Sequence, residues 1–301
     1  MSGVGLPEWA VLYCREHLGS VPSALLHSSR HMSDVLGLRL ADGREVAVKA
    51  RPDQNGRAAA CVEVQRTLAE QGFPCAAPLT GVTVHDGVAI HAERWLPGGE
   101  VLRGDDPATA ALFARLLARL VTLAADIEVG GDAPGVIQPP LPNPEWMRWD
   151  APGPAVALPP LVEDATRRIR ERLAAIWLPR VLGHADWESQ NLRWHGSTPY
   201  AVHDWDSLAW LPEAVIAGAA SGAFASAEQP ALTPIASSAA FLDAYQRARR
   251  PFDDEEIEVA WAASLWLALH NARGEVLRDL PPVAVTAVLE QASQRLELAG
   301  A

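Results

Sequence analysis

Residues 181–194 read VLGHADWESQNLRW and set His184, Asp186 and Asn191 in the spacing H-x-D-x-x-x-x-N. An aspartate can take the proton of an attacking hydroxyl. An asparagine five positions on can offer its amide oxygen to Mg²⁺, and a loop of that length can aim both side chains at one phosphoryl group. Thirteen residues past Asn191, the run YAV leads into His203-Asp204-Trp205-Asp206. Mg²⁺ wants hard oxygen ligands, and phosphates supply only some of them, so a second acidic group is needed at that order and distance. Asp204 is the candidate, with Asp206 either a further ligand or a capping carboxylate.

A cation for the phosphates is expected upstream. EVAVKAR at 45–51 contains Lys49, the single lysine in a chain whose other strongly basic residues are all arginine. Lysine is a compact point charge and arginine a wide planar fork, so a narrow phosphate slot can admit one and misplace the other. Glu63 on the following helix is the expected ion-pair partner, with Glu70 as the rival.

These residues need elements to hold them. VLGLRL and REVAVKA flank Asp42-Gly43, and VTVH and VAIHAERW flank Asp86-Gly87, which are hairpin signals because tight turns need positive φ. Between the hairpins, GRAAACVEVQRTLAEQG is rich in helix formers and stops at Gly72 with Pro74 beyond. Residues 20–95 therefore read strand, strand, strand, helix, strand, strand. From WLPGGE at 95–100 onward the signals are helical, interrupted by a hairpin around 195–199 and by a Pro-rich surface stretch at 133–146. The fold class is α+β: a sheet-rich lobe over 1–95 with one packed helix, and a mainly helical lobe over 96–301.

The chain has 301 residues, 49% of them apolar and 21% charged, a balance that suits a folded soluble protein. A net charge of −12 argues against nucleic acid and anionic membranes as partners. Three cysteines without a C-x-x-C pair fit a reducing compartment. No secretory segment or bilayer-length apolar run is read, WAASLWLALH at 261–270 being taken as the longest, so a cytoplasmic location is expected.

In this order the motifs resemble the aminoglycoside phosphotransferase family, small-molecule kinases of the protein-kinase-like fold. The resemblance runs from about residue 20 past 215 and includes E-x-x-x-x-L-x-x-x-G-F-P at 63–74, the WLPGGE hinge, and WDSLAWLPEA at 205–214. It implies ATP, with GTP as the other option, Mg²⁺, and transfer to a hydroxyl of a small acceptor such as an amino sugar, an aminoglycoside-like molecule or another amine. It also implies Asp186 as catalytic aspartate, Asn191 and Asp204 on the metal, and Lys49 on the α- and β-phosphates, restrained by Glu63. Glu93, just before the hinge, joins the nucleotide-binding set. His184 is read as bracing the loop.

There are departures. The family's loop glycine is Ala185, and the Gly-rich phosphate loop is replaced by Ser28-Ser29-Arg30-His31-Met32-Ser33-Asp34, in which Ser28 and Ser29 are the candidates for cradling phosphates. Glu188 is expected either to bind an amino group of the acceptor or to face solvent. Trp187, Trp210 and Glu213 are further acceptor-pocket candidates, the tryptophans competing with a role in the core. Two other readings stay open: a kinase-like protein that binds without catalysing, and a zinc site from His184, Asp186, His195 and His203, weakened because neighbours on a strand point to opposite faces. Oligomeric state is not legible.

Overall fold

The computed structural model describes residues 6–30, 33–53, 56–127, 156–223 and 232–301. The Pro-rich stretch at 133–146 lies outside them. The chain divides into two compact units between Gly98 and Gly99.

The first unit opens with α1 (Glu8–Leu18), followed by β1 (Pro22–Arg30), β2 (Asp34–Leu40), β3 (Glu45–Pro52), α2 (Arg57–Glu70), β4 (Thr83–His85) and β5 (Val88–Arg94). Helix α1 lies upstream of the element order read from the sequence, which begins at residue 20. The strands form one antiparallel sheet in the order β1-β2-β3-β5-β4. The 86–87 turn has both central residues at positive φ, Asp86 at 50° and Gly87 at 75°, the handedness that lets tightly joined strands keep their twist.

Side chains alternate across a strand, so β3 presents two unlike faces. Val46 and Val48 enter an apolar core with Leu36, Leu38, Leu40 and Ala92, covered by Ala10, Tyr13, Cys14 and Leu18 of α1. Ala47, Lys49 and Arg51 point the other way. That face meets α2, whose buried stripe contains Ala58, Cys61, Gln65 and Leu68.

The second unit holds α3 (Pro107–Ala124), α4 (Pro160–Ala174), β6 (Arg180–His184), β7 (Leu192–His195), β8 (Thr198–Val202), β9 (Leu208–Pro212), α5 (Glu213–Ala223), α6 (Ile235–Ala248), α7 (Asp254–Leu277) and α8 (Val283–Leu298). The expected hairpin is β7–β8. A second antiparallel pair, β6–β9, was not foreseen because its strands are far apart in sequence; His184 lies opposite Leu208 and Arg180 opposite Pro212. Helices α5 and α7 touch backbone to backbone: a Cβ on Gly218 would lie 2.2 Å from the Ala260 carbonyl oxygen, and one on Gly222 1.9 Å from that of Ser264. Any larger residue would push the helices apart.

The longest strongly apolar helix is α3, not the 261–270 segment. By length and composition alone it passes as a membrane span. Ala110, Phe113, Ala114, Leu117, Leu120 and Val121 are nevertheless buried inside the unit, as in a core helix.

Candidate active site

In the second unit, β6 delivers His184 to the start of a loop that closes with a 3₁₀ turn at Ser189–Asn191, and β8 runs out into Asp204 and a 3₁₀ turn at Trp205–Ser207. The two turns are laced together by backbone groups. The His203 N–H donates to the Asn191 carbonyl at 2.8 Å, and the Ala185 N–H to the Ser207 carbonyl at 2.8 Å.

His184 adds a third tie. Its Nε2 lies 3.0 Å from the His203 carbonyl, and its Nδ1 accepts from the Asp186 N–H at 3.3 Å. That pattern requires the proton on Nε2 and none on Nδ1. The ring stands edge-on to Trp187 and Trp205, which hold it in a buried aromatic cage. With both nitrogens engaged, His184 braces the loop.

Asn191 donates from Nδ2 to the Asp186 side chain at 2.9 Å and to the Asp186 carbonyl at 3.0 Å. Its Oδ1 is thereby turned away from the aspartate. Asp204 sits at φ 61°, ψ 52°, a left-handed conformation that non-glycine residues adopt at a cost. Ser207 holds it from both sides, with its hydroxyl 3.1 Å from Oδ2 and its N–H donating to the Asp204 carbonyl at 3.1 Å. Asp206 lies in the same turn, half-buried.

Three carboxylates thus interact across these turns. Burial is the largest influence on Asp186 and raises its pKa. The Asn191 hydrogen bond pulls the other way and the charge of Asp204 pushes it up; the net direction is upward. For Glu188, burial and then the charges of Asp186 and Asp204 push the carboxyl up to about 8. A hard cation is the natural relief for such a set. Among the described residues no three His, Cys, Asp or Glu side chains converge as a metal cage. A Mg²⁺ shared with phosphates and water needs no such cage.

Glu188 also borders a small pocket lined by Gly222, Ala223, Leu232, Leu267, Ala268 and Asn271, and it accepts a hydrogen bond from Gln190. Deeper in the unit lies a buried charge that the sequence did not single out. Arg295 is fully buried without a carboxylate partner and donates to the Thr233 carbonyl and to the hydroxyls of Ser238 and Ser264. Burial pulls its pKa down to about 9, so it stays charged at neutral pH.

Two acceptor candidates belong elsewhere. Trp187 is fully buried, donating from Nε1 to the Phe113 carbonyl at 3.2 Å, so it is core filling. Glu213 opens α5 but is 4% exposed and consumed by Tyr245, Arg249 and Arg250. Its carboxylate is neutralised internally and has nothing left for a ligand. Trp210, opposite Leu182, is half-buried, with a buried indole N–H that finds no acceptor among the described residues.

In the first unit, Lys49 is paired, but not with Glu63. Lys49 Nζ lies 2.8 Å from Glu93 Oε1. Glu63 is exposed beside Arg66, because it stands two residues from Gln65 and so on another face of α2. Ser28 and Ser29 are not in an open loop either. They sit in β1, opposite Leu36 and Val35, because the strand runs on to Arg30; His31 and Met32 lie outside the described residues.

The model of the family described as "Phosphotransferase enzyme family" matches residues 33–215. No curated protein matches significantly. Solved structures share the fold at low identity. One is an amicoumacin kinase in complex with AMP-PNP, Ca²⁺ and Ami (13% identity, 92% of this chain and 89% of that one, TM-score 0.67). A second is an aminoglycoside phosphotransferase from Alicyclobacillus acidocaldarius (14%, 99% and 96%, 0.60). A third is a spectinomycin phosphotransferase with ADP and spectinomycin (11%, 98% and 95%, 0.59).

Proposed function

Given that this chain belongs to the phosphotransferase enzyme family, we propose that it transfers the γ-phosphoryl group of ATP to a hydroxyl of a small, amine-bearing acceptor. The observation that carries this is the braced pair of turns, in which Asn191 and Asp204 flank an Asp186 that burial and a neighbouring charge make more basic than a free carboxylate.

In this reading Asp186 orients the acceptor hydroxyl and takes its proton as the oxygen attacks the γ-phosphorus. The bond from that phosphorus to the β–γ bridging oxygen breaks, and ADP leaves. Asn191 Oδ1 and the Asp204 carboxylate would hold Mg²⁺, which neutralises charge on the phosphate oxygens when bound. Lys49 would contact the α- and β-phosphates. Asp206 is assigned to the surroundings of the metal site.

ATP is favoured over GTP because structural neighbours were solved with AMP-PNP and with ADP. An amine on the acceptor is favoured because Glu188 is a partly desolvated carboxyl beside two acids, and a cation is the partner that would return it to the charged form. Trp210 is the remaining aromatic candidate for a wall of the acceptor site.

An ATP-consumption screen with Mg²⁺ against aminoglycosides, amino sugars, simple sugars and choline-like amines tests the proposal. Turnover with amines and not with their neutral analogues is expected. Nucleotide binding without turnover on every acceptor would instead favour a kinase-like binding protein.

A further inference from the structure

We propose that Glu93, on β5, is the positioning residue for Lys49, and that Gln65 on α2 is a neutral tie holding Glu93, so that the lysine is set by the sheet and does not depend on the helix. The inference rests on Lys49 being the phosphate contact, but its own argument is geometric.

Lys49 lies opposite His91 across β3 and β5, and Glu93 lies opposite Ala47, so Lys49 and Glu93 are diagonal neighbours on one face of the sheet. The Nζ–Oε1 distance is 2.8 Å, with the two side chains 15% and 4% exposed. The other carboxylate oxygen receives Gln65 Nε2 at 2.8 Å and faces His91 Nε2 at 3.7 Å. Gln65 sends its second amide hydrogen to the Ala76 carbonyl at 2.7 Å. Two acceptors around one amide end fix its orientation, because the amide oxygen would be repelled by both.

An acid at position 65 would compete with Glu93 for Lys49; a neutral donor adds no second charge to the pair. Burial works against a charged Glu93, but Lys49 and His91 overcome it and hold the carboxyl well below the usual carboxylate range. In protein kinases the corresponding acid sits on a helix, and moving that helix makes or breaks the pair. Here both members belong to adjacent, ladder-bonded strands. A shift of α2 would cost the Gln65 contact and leave the ion pair standing. Lys49 is therefore assembled permanently, with no helix switch.

The single lysine makes this testable without an acceptor. Protein labelled with ¹⁵N at lysine Nζ gives one ammonium signal, from Lys49. Glu93→Gln should displace that signal and weaken Mg²⁺·AMP-PNP binding about tenfold or more. Glu63→Gln, on the exposed face, should leave the signal in place and binding within about twofold. The double variant Glu93→Gln/Gln65→Glu, which moves the acid onto the helix, should bring the signal part of the way back. Should Glu93→Gln fail to fold, Glu93→Asp, which draws the carboxylate back by one methylene, must still displace the signal, while Gln65→Met should leave it largely in place. A signal that ignores Glu93→Gln, or that follows Glu63→Gln, overturns the assignment. If the signal follows Glu93 but Lys49→Met binds Mg²⁺·AMP-PNP as wild type does, the pair stands and the phosphate role of Lys49 is what falls.

Discussion

Glu93 and Glu188 are both substantially buried glutamates, and their environments drive them in opposite directions. Glu93 has a lysine at 2.8 Å, an amide donor and a histidine, and its carboxyl is held far down. Glu188 has burial and two more acids for company, and its carboxyl rises to about 8. Burial penalises charge in both places, more so at Glu93; the nearest charge decides the outcome. The sheet-rich unit has a completed ion pair. The helical unit has an electrostatic deficit that a metal and a cationic acceptor would fill. The first arrangement provides fixed geometry; in the proposed function the second draws in cations from outside.

The sharpest break in this contrast is at the acids. Asp186→Asn should lower turnover about 10²–10⁴-fold, the range for a lost general base, in the ATP-consumption assay. It should leave the melting temperature in Mg²⁺-free buffer unchanged or higher, because one repelling charge is gone. Removing the charge from the other region should do the reverse. Lys49→Met strands Glu93 without its cation and should cost about 3–5 kcal/mol in denaturant unfolding. An unchanged midpoint would mean that Glu93 is not charged in the fold.

A smaller effect is expected from Lys49→Arg, which keeps the charge and changes its shape. The midpoint should move by about 1 kcal/mol or less while turnover falls about tenfold or more. Near-normal turnover would make the lone lysine an accident of composition.

The smallest effect concerns pH. Glu93 has a lowered folded pKa, so its stabilisation is present above about pH 4.3 and is lost only as pH falls through the much lower folded value. Glu188 has a raised one: the folded protein keeps a proton that the unfolded chain releases above about pH 4.3, so stability declines from there up to about 8. In Mg²⁺-free buffer the melting temperature should fall between pH 5 and pH 8.5, and Glu188→Gln should flatten that fall by a few degrees.

The sequence alone carried what depends on neighbours along the chain. Asp-Gly turns, alternating strands and the Gly72 stop predicted the order of the first unit's strands and α2, and H-x-D-x-x-x-x-N followed by Asp204 singled out residues that lie on two adjoining turns. Lone Lys49 was legible as a rare residue type within a strand. What failed needed faces and registers. Glu63 looked right because it lies on the correct helix, but helical periodicity turns it away and turns Gln65 inward. Glu93 becomes Lys49's partner through the β3–β5 register, which joins residues 44 positions apart. Trp187 and Glu213 looked available from composition and were claimed by Phe113 and by Tyr245, Arg249 and Arg250 across the unit. Residue type and spacing determine which chemistry a chain can do. Which acid is paired and which is left wanting a cation is decided by packing, because charge energies depend on distance and burial, and the fold sets both.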